Sequence, residues 1–420
     1  MSEQRVETKM QGFLLKLSCG LAGALIATGT STRDASAAPD SEQLELRAHP
    51  DAWAGRIDRL DGKEGRPLHN DRVKLSEVLD NADRHTPDGE ACGTDDHPKS
   101  GFCWNKGDNL NQEWIPQGIT ASWDAFESGT YDGRTVVAAS WYLKGKDKGD
   151  PERANRVTVS DRGKKKYDYI ALAKPTEDGK DIEPLSGVHS GGLAWVGRYL
   201  YVADTGRGLR VFDLAHIWRA DTGSHAYKVA NGRVSAGGYR YVLPQVGFYV
   251  PPKEGKACAK DGVPPVHSSV SVDRKTKTLV TAEYCGEKGN GLGRIVRWPL
   301  ESDKGELTGL LKSANGKVAS HDWYRTDLAG MQGAATHGDD VWMTVSTGKE
   351  AKGQWYKNSL AGAKTGSTLP SVRASTMCTQ GPEDLTYKSK DSVWTLTEFA
   401  DERQVFPIQQ ASGKDCTPPG

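Results

Sequence analysis

From Trp114 onward the chain alternates between short apolar runs and polar, glycine-rich breaks, and one order of residue types returns five times. Each copy opens on a polar residue followed by small residues, enters an apolar run, turns, and ends a second apolar run on another polar residue. Short runs rich in β-branched and aromatic residues between turn signals predict strands. The copies read Pro116-Gln117-Gly118-Ile119 leading to Val136-Val137-Ala138-Ala139-Ser140, Val188-His189-Ser190-Gly191 leading to Leu200-Tyr201-Val202-Ala203-Asp204, and Val266-His267-Ser268-Ser269 leading to Leu279-Val280-Thr281-Ala282-Glu283. Two more follow: Met331-Gln332-Gly333-Ala334 leading to Val341-Trp342-Met343-Thr344-Val345-Ser346, and Pro382-Glu383-Asp384-Leu385 leading to Val393-Trp394-Thr395-Leu396-Thr397-Glu398. In four of the five, the opening polar residue precedes the closing one by 14 to 16 positions. A third strand is predicted at Arg156-Val157-Thr158-Val159, Arg210-Val211-Phe212-Asp213, Arg294-Ile295-Val296-Arg297 and Arg403-Gln404-Val405-Phe406, with Gln354-Trp355-Tyr356 in its place in the fourth copy.

Strand-rich repeats of this length with glycine-rich turns are the sequence mark of blades. On these residues the chain resembles the β-propeller superfamily over about residues 114–410, at the level of the repeat and without a WD or kelch signature. The expected fold is all-β: a β-propeller of five blades, six if one hides upstream, occupying residues 113–420. Residues 38–112 are polar and irregular, with one short helix expected around Val73 to Ala82, and are read as a loop-rich N-terminal extension that covers a blade edge or walls a site. Glycine and proline, 48 and 20 residues, agree with many turns.

Residues 1–37 carry the pattern of a secretory signal peptide: Lys9 and Lys16, an uncharged stretch from Leu17 to Thr32, and Ala35-Ser36-Ala37 as a cleavage site. The mature chain then begins near Ala38 and is expected to be secreted, with no membrane association after cleavage. Cys19 falls in this leader; Cys92, Cys103, Cys258, Cys285, Cys378 and Cys416 remain, an even number in a chain bound for an oxidising compartment. Six cysteines allow 15 pairings, and short loops favour Cys92 with Cys103, Cys258 with Cys285, and Cys378 with Cys416. A zinc site is the lesser reading, since no C-x-x-C occurs. The full chain has a formal charge of zero and stays within one charge of neutral without the leader, so nothing in it steers toward nucleic acid.

In propellers the first strand of each blade lines the central channel and the second returns to the same face. The resemblance therefore implies that two polar columns meet at one channel mouth: Gln117, His189, His267, Gln332 and Glu383, and Ser140, Asp204, Glu283, Ser346 and Glu398. Acids and histidines brought together out of water need pairing or a cation. The sharpest expectation is a divalent metal held by His189, His267 and Glu383 with Gln117 or Gln332 completing the shell, a donor set suited to zinc, manganese or iron. Asp204 and Glu283 would then orient the two histidines, and His189, His267, Asp204, Glu283 and Glu398 would supply proton transfer. The plainer alternative pairs Asp204, Glu283 and Glu398 with Arg210, Arg294 and Arg403, the arginines that recur with them. Propeller lyases acting on cyclic antibiotics and on uronate polysaccharides are similar in placing metal ligands and a histidine base at one channel mouth.

Two glycine motifs carry no chemistry. Val188-His189-Ser190-Gly191-Gly192 resembles a hydrolase elbow, but a strand follows where a helix is required. Gly289-Asn290-Gly291-Leu292-Gly293 likewise leads into a strand, not a phosphate-binding helix. The function expected is a secreted, metal-assisted hydrolase or lyase acting on a carbohydrate, lactone or other small molecule; the alternative is a non-catalytic, lectin-like or scaffolding propeller. Oligomeric state is open.

Overall fold

A computed structural model describes residues 43–411, apart from positions 50, 62–67, 69–70, 90–91, 93–97, 99, 259–261, 287–292, 350 and 371. The leader, the cleavage site, Cys416 and most of the glycine run at 289–293 lie outside the described residues. The described chain is mostly β, and its strands form antiparallel quartets. The first comprises Trp114–Ala121, Val136–Leu143, Ala154–Asp161 and Lys166–Pro175. The second comprises Leu193–Val196, Tyr199–Asp204, Gly208–Asp213 and Tyr241–Val250, joined edge to edge with the first through a parallel pairing of Val242 with Ala171. The third is Ser269–Asp273, Thr278–Ala282, Gly293–Asp303 and Asp322–Thr326, and the fourth is Met331–His337, Asp340–Val345, Lys352–Ser359 and Arg373–Gln380. Pro382–Ser389, Ser392–Thr397 and Gln404–Pro407 form most of the fifth.

The opening segments of the repeats lead into the innermost strands, and these strands pack in a closed cycle. Trp114–Ala121 meets Leu193–Val196, which meets Ser269–Asp273; Met331–His337 and Pro382–Ser389 follow, and the last returns to Trp114–Ala121. The small residues behind each opening polar position have their reason here. A Cβ on Gly118 would collide with the backbone of Gly192 and Leu193, and one on Gly192 with Ser269 and Val270, so these glycines let neighbouring inner strands approach closely.

The extension is woven into this ring. Phe102–Cys103 pairs with Gln404–Pro407 as the outermost strand of the fifth quartet, joining the N-terminal side of the ring to its C-terminal end. Glu45–Ala48 pairs with Tyr241–Val250, and the helix Leu75–Asp80 buries Leu75, Val78 and Leu79 in the core of the first two quartets. The described residues on both sides of position 112 fall within one compact unit. Hydrophobic cores fill the spaces between adjacent quartets, including one with Trp195, Val157, Leu172 and Phe212. Cys92–Cys103 and Cys258–Cys285 are disulfides, and Cys378 is disulfide-bonded as well. Among the described residues no helix is long and apolar enough to cross a membrane.

Candidate functional site

Four of the five opening segments bring their polar residues to one cleft. Gln117, His189, Gln332, Glu383 and the closing residue Glu398 line a single cleft of about 430 Å³, together with Thr205, Ser268 and Tyr284. Its lining includes a pair of carboxyl groups. Glu383 is buried, and its carboxyl is held well above the ordinary range by burial first and then by the charges of Glu398 and Asp384; a side-chain hydrogen bond joins it to Glu398. Glu398 is half-buried and is also raised, burial outweighing the lowering effect of His189 and of the Gln117 amide, whose Nε2 donates to Glu398 Oε2 at 3.2 Å. Two carboxyls in contact cannot both ionise cheaply, so ionisation of either one favours the protonated form of the other.

His189 reaches the same mouth by a local distortion. Ser190 adopts φ +50°, a left-handed conformation that turns the chain just ahead of Leu193–Val196 and leaves the His189 side chain 45% exposed. Its Nδ1 lies 3.2 Å from Glu152 Oε1, and its ring packs against that of Tyr142 at a tilt of 34° with centroids 4.5 Å apart. The Glu152 carboxyl is lowered, chiefly by that hydrogen bond. An ionised carboxylate only accepts, so Nδ1 donates to Glu152 and Nε2 is left for the cleft. Burial, then the charges of Glu398, Glu383 and Glu152, raise the Tyr142 phenol and keep it protonated. Neither Glu152 nor Tyr142 belongs to a column of the repeat: Tyr142 lies two residues past Ser140, and Glu152 precedes the third strand of the first quartet. No repeat-level signal marks them.

Three expected site residues stand elsewhere. His267 is fully buried 5.9 Å from Trp298, and among the described residues both of its ring nitrogens lack a hydrogen-bond partner. Burial, then the Arg294 charge, pushes its pKa down to about 3, so the imidazole is neutral. No left-handed residue precedes Ser269–Asp273 as Ser190 precedes its strand, and Ser268 faces the cleft in place of the histidine. Asp204 and Glu283 do not orient histidines. Asp204 Oδ2 accepts from Arg210 Nε and Nη2 at 2.8 and 2.6 Å, while Glu283 accepts from Arg294 Nε at 2.7 Å and Nη2 at 2.8 Å, so both acids serve the plainer expectation of ion pairs.

The third pair breaks this rule. Arg403 donates through Nε to the backbone carbonyl of Glu398 at 2.8 Å and through Nη1 to that of Asp108 at 2.7 Å, which leaves the Glu398 carboxyl to the cleft. Among the described residues no group of three His, Cys, Asp or Glu side chains is placed to hold a metal ion. The set of His189, His267 and Glu383 with Gln117 and Gln332 is split by the burial of His267 and does not fit a metal.

No protein-family model matches the sequence, and no curated protein does. Among solved structures the chain is similar to a GH43_1 enzyme from Xanthomonas citri, at 8% identity over 71% of this chain and 88% of that one, TM-score 0.34. It is also similar to the PQQ-bound aldose sugar dehydrogenase of Streptomyces coelicolor, at 15% identity over 80% and 96%, TM-score 0.32. A third similar structure is CoXyl43, a GH43 beta-xylosidase/alpha-arabinofuranosidase from a compost microbial metagenome, at 10% identity over 71% and 91%, TM-score 0.34. Likeness at this level carries no argument about activity, which rests on the residues of the cleft.

Proposed function

We propose that the chain is an exported, five-bladed β-propeller hydrolase that cleaves a neutral carbohydrate at one mouth of its ring. The observation that carries this reading is the hydrogen-bonded pair Glu383 and Glu398 facing a histidine already oriented by Glu152. Glu398, held by Gln117 and by protonated Glu383, accepts a proton from the attacking water as its oxygen bonds to the anomeric carbon. The glycosidic C–O bond breaks as the imidazolium form of His189, its Nδ1–H on Glu152, gives its Nε2 proton to the leaving oxygen and is left as the neutral ring. Glu398 directly follows the strand Ser392–Thr397, and His189 is held by Glu152 and by its contact with the Tyr142 ring, which is what positioning requires. The closed cycle of innermost strands supports the blade count, and the disulfides support export. Gln117, Gln332, Thr205 and Ser268 provide neutral donors and acceptors suited to a hydroxyl-rich ligand.

The test is release of aryl leaving groups or new reducing ends from a panel of nitrophenyl glycosides and neutral oligosaccharides. Glu398→Gln is expected to lower kcat about 100-fold or more with the fold retained by circular dichroism. Binding without turnover would make the chain a lectin-like propeller, and full activity in Glu398→Gln would refute the assignment of the base.

A further inference from the structure

The acid–base groups leave one prominent feature of the cleft unused. Tyr284 lines it with 40% of the residue exposed, and it is the single aromatic among the exposed large hydrophobic residues described. Its backbone is fixed on both sides. Glu283 accepts from Val266 N at 3.0 Å and from three nitrogens of buried Arg294, and Cys285 is buried, disulfide-bonded to Cys258, with its carbonyl accepting from Gly330 N at 2.6 Å. The residue after the disulfide is Gly286, where a Cβ would lie 3.8 Å from Tyr284 Cε1, so the ring runs alongside a position that carries no side chain. The Glu283–Arg294 pair, which contributes nothing to proton transfer, thus acts as one of two anchors for an aromatic ring at the cleft.

We infer that Tyr284 is a stacking platform for the C–H face of a pyranose ring, and that it determines specificity for sugars with an uninterrupted apolar face. This rests on the carbohydrate reading above. A pyranose presents C–H bonds on its faces and hydroxyls around its edge, and the cleft matches that division: one aromatic face, and Gln117, Gln332, Thr205 and Ser268 for the edge. A ring held before the ligand arrives loses little conformational freedom on binding. The phenol hydroxyl takes no part in stacking, so the ring alone carries the effect.

Binding is measured by titration calorimetry with cellotriose, xylotriose and chitotriose in the Glu398→Gln background, and KM and kcat with the best probe in the otherwise wild-type chain. Tyr284→Ala is expected to weaken binding and raise KM about tenfold with kcat within about twofold, and Tyr284→Phe to match the parent. The double variant Cys258→Ser with Cys285→Ser is expected to weaken binding in the same direction by releasing the ring. Unchanged affinity in Tyr284→Ala while the parent binds and cleaves overturns the platform alone. A fall in kcat equal to the rise in KM also overturns it. Failure of every sugar to bind the parent overturns the carbohydrate reading together with it.

Discussion

Replacing Glu283 by Gln tests the anchor most directly, because the structure lets its cost be worked out group by group. Both side chains of the Glu283–Arg294 pair are inaccessible, 0% and 1% exposed. Glu283 Oε1 accepts from Val266 N at 3.0 Å and Arg294 Nη2 at 2.8 Å, and Oε2 from Arg294 N at 2.9 Å and Nε at 2.7 Å. An amide keeps one oxygen and turns an NH2 toward the two donors on the other, while the guanidinium loses the carboxylate charge it contacts. Breaking a buried pair from one side costs about 3–5 kcal/mol. Arg294 retains the carbonyls of Val263 at 2.6 Å and Pro264 at 3.3 Å, which places the expected loss near the lower end, about 3 kcal/mol. The assay is urea denaturation at pH 7, comparing midpoints at equal slope across parent, Glu283→Gln, Arg294→Met and the double variant. The double variant should be less destabilised than the two singles added together, by at least about 1 kcal/mol. A loss under about 1 kcal/mol in Glu283→Gln, or strict additivity, would refute the claim that the pair fixes this segment.

Burial lifts the Asp124 carboxyl from 3.8 to about 6 against hydrogen bonds from Thr386, Thr120 and Ala121. The folded state therefore holds that proton more tightly, and this contribution to stability, present below about pH 4, falls by about 3 kcal/mol as pH rises through 6; Asp124→Asn should flatten the slope in urea titrations over that window. His267 has the opposite sign. With its folded pKa near 3 against 6.5 in the unfolded chain, it withdraws up to about 5 kcal/mol as pH falls from 6.5 to 3, and His267→Leu should remove that acid sensitivity in the same titrations. Under the proposed chemistry, His189→Ala lowers kcat/KM about 100-fold or more and Glu152→Gln about tenfold, read on the best aryl glycoside; equal effects on a substrate with a better leaving group would argue against proton donation by His189.

A chain of 420 residues disclosed much of its own layout through local chemistry. Strand runs, turns and the polar residues that open and close each repeat depend on residue type and spacing over a few positions, and the strands begin and end within a few residues of the expected places. Two of the neighbouring cysteine pairs are disulfides for the same reason: short loops bring their ends together. The recurrence of arginine with a closing acid likewise marked the ion pairs of Asp204 and Glu283.

Which polar side chains share the cleft was decided only when the ring closed. His189 and His267 occupy the same place in their repeats, yet a left-handed Ser190 turns one to the mouth while the other packs against Trp298. Arg403 follows Glu398 near the third strand as its counterparts follow their acids, but it bonds backbone carbonyls and so leaves the Glu398 carboxyl to Glu383 and the cleft. Glu152 and Tyr142 join His189 from the first quartet, and Phe102–Cys103 completes the fifth from the N-terminal side. The physical reason is common to all of these: sequence periodicity specifies which way a strand alternates, whereas burial, competing hydrogen-bond partners and contacts between strands far apart in the chain specify where each polar group finds its partner.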